Sequence, residues 1–309
     1  MNTEAERPSA RLLSNADIPT APSFPHSNLI ILATFVGSLL LSIVAALVFE
    51  GLASSIRNGE QSMQLLQLPN LTYVPSKTRN ASQSRLSPVQ EVITQKLGGF
   101  AIAMRTLYLA CRMPNSDQAQ QVVMITSCQN KRDRSRSAVG LAATAAADGK
   151  KVILVDLDRD DLSVLRSLKL ESYPLPIEDF VSGKCNLNAA IYALPELIGL
   201  SVIGSRKTIA SEELQLNSSH LNLLFNTLRK EYDFIVVHAP PVLKVDDANW
   251  LAPLINAAVL SISWGKTKEI ELWDAAYSLR LNHVPLIGTI IEEVDKRLQH
   301  RYGLGNAVH

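Results

Sequence analysis

Three residues of types that cooperate in hydrolases, Ser135, Asp158 and His238, are expected at one edge of a β-sheet. A hydroxyl, a carboxylate and an imidazole act in many hydrolases as nucleophile, orienting acid and general base. The sequence around Ser135, however, has no G-x-S-x-G turn and no evident pair of oxyanion donors. We therefore do not expect hydrolase chemistry from these three residues.

A cationic segment, Lys131–Arg136, directly follows a predicted strand and precedes a predicted helix. Its sequence KRDRSR holds four cations and one carboxylate, a net charge of +3. The start of a helix favours negative charge, so this segment could attract a lipid head group or a nucleotide phosphate. The preferred interpretation is a solvated surface loop, because most charge runs are solvated.

The composition indicates a folded protein without a global charge preference. The chain has 309 residues, of which 47% are hydrophobic, and 30 Lys and Arg nearly balance 29 Asp and Glu. This balance predicts no nucleic-acid partner. Cys111, Cys128 and Cys185 are far apart and lack metal-ligand spacing, which argues against a disulfide framework or a zinc site and indicates a reducing, cytosolic environment.

The 21 residues of Leu29–Phe49 carry no charge and are long enough to cross the ~30 Å hydrocarbon core of a bilayer. The run is too long, and starts too far from the N-terminus, for a signal peptide. The flanking basic residues do not decide the orientation. Because the downstream domain resembles a cytosolic one, we expect a single-pass membrane protein. Its Pro-rich residues 1–28 would lie outside and its C-terminal domain in the cytoplasm.

The rest of the chain is predicted to be an α/β domain at residues 90–295. A polar linker, residues 50–89, with a short ordered insert at Leu65–Val74, would precede it, and a tail, residues 296–309, would follow. Apolar runs that alternate with helical patterns predict a doubly wound, mostly parallel sheet covered on both faces. In such sheets ligands bind at the carboxyl ends of the strands, here after Ser127, Val155 and Val237. The predicted strands are Val122–Ser127, Lys151–Asp158, Leu200–Ser205, Asp233–Pro241, Ala257–Trp264 and Pro285–Asp295.

Several segments resemble the cytoplasmic half of the bacterial tyrosine autokinase and polysaccharide co-polymerase family. The matching segments are Ile125–Ser127, Leu141–Asp158, Tyr232–Leu243, Asp246–Thr267, Pro285–Asp295 and, upstream, Ala21–Pro25 and Leu65–Pro75. The resemblance implies a P-loop NTPase-like fold of the Walker A-prime type behind one transmembrane helix. It also implies a role in exopolysaccharide or capsule biosynthesis, chain-length control or export. The implied partners are co-polymerase, polymerase or export proteins of the inner membrane, the lipid bilayer and further copies of the chain.

The phosphate-binding loop departs from that family's pattern. A loop of the form G-x-x-x-x-G-K-[ST] brings backbone N–H groups, a lysine and a magnesium-binding hydroxyl to the phosphates. The aligned residues here are Cys128, Asp133, Arg134 and Ser135. A carboxylate repels a triphosphate, and a residue with a Cβ resists the left-handed geometry of a tight loop. Arg134 could replace the lysine, and Ser135 could retain the magnesium hydroxyl.

Two further positions of the expected nucleotide site are altered, and two are kept. His238 replaces the family's Walker B aspartate, which is a better magnesium partner than an imidazole. Glu292 replaces an asparagine that contacts the adenine edge. Asp156 and Asp158, to which the resemblance assigns metal-binding and general-base roles, remain. The preferred alternative is that these aspartates only cap or solubilise the end of a strand.

Two features outside the site are also reduced. The family's E-x-x-R-x-x-R helix, implied in ring assembly, is represented here by Gly99, Ile102 and Arg105, so only its last arginine remains. The residues after Asp295 contain one tyrosine, Tyr302, as the sole candidate phosphoacceptor of the tail.

Three functional hypotheses follow. The leading one is a non-catalytic membrane adaptor of exopolysaccharide synthesis, a pseudokinase that needs no cofactor. The second is an active tyrosine autokinase that binds ATP and Mg²⁺ through Arg134, Ser135, Asp156, Asp158 and the position of His238, with Ser135 and Asp158 at the metal. The third is a membrane-tethered relative of the partition ATPases, against which the upstream apolar span argues.

Overall fold

The computed structural model describes residues 27–52, 55–77, 86–112, 120–128, 134–159, 162–170, 172, 174–205, 218–244 and 251–295. The chain divides into two units, Met1–Ala53 and Ser54–His309. The first unit contains helix α1, Ser27–Leu52. Within the described residues it is the one helix long and apolar enough to cross a membrane, over Asn28–Val48 with a mean hydropathy of 2.6.

Two hydroxyl groups of α1 are satisfied within the helix itself. The Thr34 hydroxyl donates to the Ile30 carbonyl at 2.7 Å, and the Ser38 hydroxyl donates to the Phe35 carbonyl at 2.9 Å. Back-bonding of this kind allows small polar side chains to reside in an apolar environment, because no donor is left without an acceptor. The helix therefore has the composition and hydrogen bonding expected of the predicted span.

The second unit is built on an eight-stranded sheet in the order β1-β8-β7-β2-β6-β3-β5-β4. Each pairing in it is parallel except β4 with β5. The strands are β1 Asn70–Pro75, β2 Gln121–Ser127, β3 Val152–Asp156, β4 Tyr192–Ala193, β5 Leu200–Gly204, β6 Phe234–His238, β7 Ala257–Ser263 and β8 Leu286–Val294. This topology confirms the predicted doubly wound α/β fold.

Helices cover both faces of this sheet. They are α2 Gly59–Leu66, α3 Pro88–Thr94, α4 Gly99–Cys111, α5 Arg134–Ala147, α6 Ser163–Leu168, α7 Ile177–Val181, α8 Leu187–Ala190, α9 Ser218–Leu228 and α10 Glu269–Leu281, with a 3₁₀ turn at Ala252–Leu254. Successive side chains of a strand alternate between faces, so β3 contributes Ile153 and Val155 to one apolar layer and Val152 and Leu154 to the other. The continuous apolar runs in the sequence reflect this two-sided burial.

The folded unit begins earlier than the composition indicated. The segment expected to be a linker, residues 50–89, contains α2 and β1, and β1 pairs in parallel with β8 at the edge of the sheet. Asn58 and Gln61 form a capping box at the start of α2, while Leu66 and Val74 are buried. The segment looked like a linker because its polar residues surround these few apolar ones, and the pairing partner of β1 is more than 200 residues away in the chain.

Gly288 allows β1 to approach β8. A Cβ at this position would lie 2.7 Å from the Pro69 carbonyl oxygen and 2.7 Å from Leu71 Cγ. The Pro69 oxygen already accepts a hydrogen bond from the Thr289 N–H at 3.0 Å, so the backbone there is held in place. A side chain at 288 would therefore have to push the two strands apart.

We predict that Gly288→Ala lowers the free energy of unfolding by about 1–3 kcal/mol, because an extra methyl group in this contact forces backbone shifts. Urea unfolding of the full chain in detergent measures the change. Ile198→Ala, at a side chain that is 94% exposed, serves as the control and is expected to stay within about 0.5 kcal/mol of the wild type. An unchanged Gly288→Ala variant would show that β1 does not pack on β8.

Candidate functional site

Strands β3 and β6 end side by side and bring Asp156 next to His238. The two residues are partners in the parallel register, and His238 also pairs with Ile125 of β2 on its other side. His238 Nδ1 and Asp156 Oδ1 are 2.9 Å apart, and both side chains are buried, with 0% and 2% exposure. A ring N–H that donates to an ionised carboxylate makes a charge-assisted hydrogen bond, which is stronger in a dry interior than in water.

The Asp156 carboxylate also organises the residues that follow β3. Its Oδ1 atom accepts a second hydrogen bond, from the Asp158 backbone N–H at 3.2 Å. The Leu157 N–H donates to the His238 carbonyl at 2.9 Å, so the chain after β3 stays attached to the end of β6. The capping role considered for Asp156 is therefore present in the structure, together with the imidazole contact.

The opposite ring nitrogen of His238 is buried and has no hydrogen-bond partner among the residues that the structure describes. With Nδ1 donating to Asp156, the neutral tautomer leaves Nε2 as an acceptor. A Walker B aspartate at this position would present two acceptor oxygens of fixed negative charge. His238 presents one nitrogen and no fixed charge, which changes the ligand chemistry of the sheet edge.

Helix α5 begins at Arg134 and places Ser135 at its first turn. Ser135 is 1% exposed, and its hydroxyl lies 3.0 Å from the Ser167 hydroxyl at the C-terminal end of α6. The hydroxyl predicted to hold magnesium is thus hydrogen-bonded to a neighbouring helix. Residues 129–133, which include Asp133, and the Arg134 side chain lie outside the described part of the structure.

Arg136 is the site residue whose role the sequence did not reveal. It was assigned to a solvated loop, but its side chain is only 8% exposed and forms two hydrogen bonds to the Glu91 carboxylate at 2.9 and 3.0 Å. Its guanidinium also donates to the Pro75 carbonyl at 2.7 Å and lies 3.9 Å from the centre of the Phe100 ring. The prediction of a solvated loop is therefore wrong for Arg136, because its side chain is buried against two helices. A charge that is buried in this way needs a partner, which Glu91 provides.

Because Arg136 is already paired with Glu91, it does not serve as the main cation of an anion-binding site. One guanidinium nitrogen, Nη2, donates to both oxygens of the Glu91 carboxylate, which neutralises the charge of Arg136 locally. The only signal for this role in the sequence was the capping box of Ser87 and Gln90, which predicts the helix that carries Glu91. No spacing rule connects Glu91 to Arg136, 45 residues later.

A cavity of about 900 Å³ opens between the ends of β1, β7 and β8 and the first turn of α5. Its lining carries charges of both signs and one aromatic ring. The residues that define it are Arg57, Lys77, Arg136, Trp264, Lys266 and Glu292. Glu292, to whose position the resemblance assigns an adenine contact, lines this cavity and is 4% exposed. The volume is in the range of small-molecule sites.

One residue in the lining of this cavity, Glu293, has a strained backbone conformation. Glu293 has a φ of 61°, a left-handed conformation that is costly for a residue with a Cβ, and its carboxylate pairs with Lys266. The Trp264 N–H donates to the Glu292 carbonyl at 3.0 Å. The ends of β7 and β8 are therefore tied together directly beside the cavity.

A magnesium–nucleotide complex needs hard oxygen ligands and a backbone that can approach phosphates closely. Among the described residues, the Asp156 carboxylate accepts from His238, the Ser135 hydroxyl bonds to Ser167, and a buried Cys128 side chain occupies a glycine position. The described part of the chain holds no group of three or more His, Cys, Asp or Glu side chains arranged for a metal ion. Asp156 and Ser135 are thus engaged by protein contacts, and Cys128 adds a side chain where the family's pattern has a glycine.

The remaining predicted positions fall in two places. Gly99, Ile102 and Arg105 lie on α4, where Arg105 is exposed and Ile102 is half-buried. Tyr302 lies outside the described residues. Ser135, Asp158 and His238, from which no hydrolase chemistry was expected, do not pair as a triad, because His238 contacts Asp156 and Ser135 contacts Ser167.

Comparisons with known proteins agree with this architecture. A family model described as an AAA domain matches residues 129–259. The succinoglycan biosynthesis transport protein ExoP of Rhizobium meliloti (strain 1021) is 23% identical over 95% of this chain and 42% of its own length. The putative tyrosine-protein kinase EpsB of Ralstonia solanacearum is 24% identical over 96% of this chain and 40% of its own length. The chain thus spans about two fifths of the length of these relatives.

Shorter relatives and solved domains match a large part of the chain. The tyrosine-protein kinase YwqD of Bacillus subtilis (strain 168) is 28% identical over 64% of this chain and 83% of its own length. The BceF tyrosine kinase domain is 25% identical, with a TM-score of 0.65 over 77% of this chain and 98% of that domain. The kinase domain of the Escherichia coli tyrosine kinase ETK shares the fold, with 21% identity and a TM-score of 0.68 over 79% of this chain and 96% of that one.

We predict that Asp156 and His238 are energetically coupled. His238→Ala leaves a buried carboxylate without its ring partner and is expected to cost about 3–5 kcal/mol of folding free energy. In the double variant with Asp156→Ala the carboxylate is gone too, so the coupling energy of the cycle should be about 1–3 kcal/mol. Urea unfolding of the four full-length proteins gives this value. Strictly additive effects would show that the two side chains do not interact.

Proposed function

We propose that this chain, which belongs to the family of bacterial tyrosine-protein kinases and polysaccharide co-polymerases, is a non-catalytic membrane-anchored component of exopolysaccharide or capsule biosynthesis. It would act in chain-length control or export through contacts with other proteins rather than by phosphate transfer. The observation that supports this most directly is the 2.9 Å contact between Asp156 and His238. It occupies the edge where a kinase of this fold would hold magnesium.

Electrostatics explain why this contact opposes catalysis. A divalent cation at the sheet edge is favoured by two nearby carboxylates, whose mutual repulsion it relieves. With His238 in place of one carboxylate, the edge loses one negative charge, and Asp156 is already satisfied by the N–H of the ring. A metal would have to displace that hydrogen bond and would gain only one anionic ligand. Both effects lower its affinity.

The proposed location is the bacterial inner membrane, with α1 as a single span and the second unit in the cytoplasm. Support comes from the mean hydropathy of 2.6 over Asn28–Val48 and from a relative named as a succinoglycan biosynthesis transport protein. The proposed partners are the co-polymerase, polymerase or export proteins of that membrane. Further copies of the chain are a second class of partner.

One observation favours a second candidate function, an active tyrosine autokinase with residual ATP binding. The 900 Å³ cavity is lined by Glu292, to whose position the resemblance assigns an adenine contact, and the relatives YwqD and EpsB are named as tyrosine-protein kinases. In that case Asp158 and Ser135 would have to serve the metal, and Tyr302 would be the phosphoacceptor in the tail. Nucleotide binding separates the two candidates.

Calorimetry of the full chain in detergent with Mg²⁺–ATP tests the proposal. We predict no binding stronger than about 1 mM, a free energy of only about −4 kcal/mol. YwqD of Bacillus subtilis, titrated under the same conditions, is the positive control. A micromolar affinity that is lost in Asp156→Asn would contradict the proposal and support the autokinase.

Restoring the family's residues is expected to restore nucleotide binding. The variant C128G/D133G/R134K/H238D returns two glycines, the lysine and the second carboxylate, so Mg²⁺–ATP affinity should rise by at least about 10-fold, or 1.4 kcal/mol. The same variant with Asp156→Asn is the matched control and should lose the gain. A folded variant that still binds no nucleotide would show that the lost residues are not the reason for the missing affinity.

A further inference from the structure

Helix α10 carries a stripe of large apolar side chains on its outer face. Ile270, Trp273, Tyr277 and Leu281 are 62%, 45%, 50% and 60% exposed. Their spacing of three, four and four residues places them on one side of the helix. The opposite side is buried against the sheet through Leu272, Ala275, Ala276 and Leu279. We call the four exposed residues the α10 stripe.

Two members of the α10 stripe stack on each other. The Trp273 and Tyr277 rings are 5.0 Å apart between centroids and only 7° from parallel. This contact holds both rings in place on the surface, so little further ordering is needed when they meet a partner. Indole and phenol rings combine a large apolar body with one polar atom, which suits them to the boundary between lipid tails and head groups.

The N-terminal end of α10 is joined to the segment that follows the apolar span. Ser55 forms a β-bridge with Lys268, the N-cap residue of α10. The Ile56 N–H donates to the Thr267 carbonyl at 2.9 Å, and the Gly265 N–H donates to the Ile56 carbonyl at 2.8 Å.

A side chain adds a further hydrogen bond at the same place. The Trp264 indole N–H donates to the Arg57 carbonyl at 2.9 Å. Residues 55–57 are therefore fixed to the β7–α10 connection, and α10 starts where the chain arrives from the span.

Chain length limits how far this attachment can be from a bilayer. Ser55 is seven residues after Val48, the last residue of the apolar window, and seven extended residues reach at most about 25 Å. Helix α10, with 13 residues, is itself only about 20 Å long. The chain length therefore limits the distance between the first turn of α10 and any membrane that the span enters.

We infer that the α10 stripe contacts the lipid bilayer, with Trp273 and Tyr277 at the level of the head groups. This inference rests on the membrane location proposed above. Charged side chains around the stripe are of both signs: Lys266 and Lys268 before it, and Glu269, Glu271, Asp274 and Arg280 along it. Attraction to anionic lipid is therefore not the driving force, and the contact should persist in zwitterionic lipid and at high salt.

A second copy of the chain fits the α10 stripe less well. Four half-exposed side chains present roughly 400 Å² of surface, about half of the ~800 Å² that each partner contributes to a standard stable interface. A bilayer imposes no such minimum, because the span already supplies the anchoring and the stripe adds only a second contact.

Quenching by brominated lipid tests the inference. The full chain is reconstituted in nanodiscs of phosphatidylcholine with brominated acyl chains, and tryptophan emission is compared with that in unbrominated discs. The chain contains three tryptophans, so Trp273→Phe isolates the contribution of the stripe. We expect the Trp273 contribution to fall about twofold or more in brominated discs, and this loss to persist in high salt.

The matched control carries a tryptophan on the other face of the sheet. Leu109 of α4 is 57% exposed, and its helix packs in the apolar layer opposite that of α10. The variant Trp273→Phe/Leu109→Trp should show no quenching of the new tryptophan.

The outcomes separate this inference from the proposed function. A chain that co-purifies with the discs but shows no Trp273 quenching overturns the bilayer contact and leaves the membrane span intact. A chain that fails to enter the discs overturns both. A Trp273 response that requires two chains per disc overturns the bilayer contact in favour of a second copy.

Discussion

A buried carboxylate has to be neutralised or hydrogen-bonded, and at the centre of this sheet His238 does this for Asp156. The ends of β3 and β6 lie in register, so a substitution at one strand end changes the contacts of the residue at the other. In a site built for a divalent cation, metal compensates two neighbouring carboxylates. Here an imidazole lies 2.9 Å from the Asp156 carboxylate instead. Under the proposed function, this contact is what disfavours a metal ion at the edge.

The scaffold does not depend on the altered loop. The central strands are buried on both faces by aliphatic side chains, and the first turn of α5 is held by Arg136 against Glu91, Pro75 and Phe100. These contacts lie outside the phosphate positions, so their stability does not require a nucleotide. The likeness in fold to tyrosine kinase domains is therefore compatible with altered residues at Cys128 and His238.

Long apolar runs made the parallel sheet predictable, because strands buried on both faces have few alternative structures. The position of Asp156 and His238 at the same edge of the sheet was also predictable from the strand ends. Their pairing was not, since a hydrogen bond depends on register and rotamer, which spacing does not encode. Arg136 was misassigned because its partner Glu91 is distant in sequence. Strand β1 was predicted only as a short ordered insert in a linker, because its neighbour β8 lies at the other end of the domain.

The pairing of β1 with β8 joins the first and last strands of the folded unit across more than 200 residues. On a ribosome, β1 is complete long before its neighbour has been made. Its hydrogen-bonding groups must remain without that neighbour, or be shielded by other molecules, until translation of β8. The edge of the sheet can thus form only late in synthesis, and this long-range closure is expected to slow maturation relative to the local β–α–β segments.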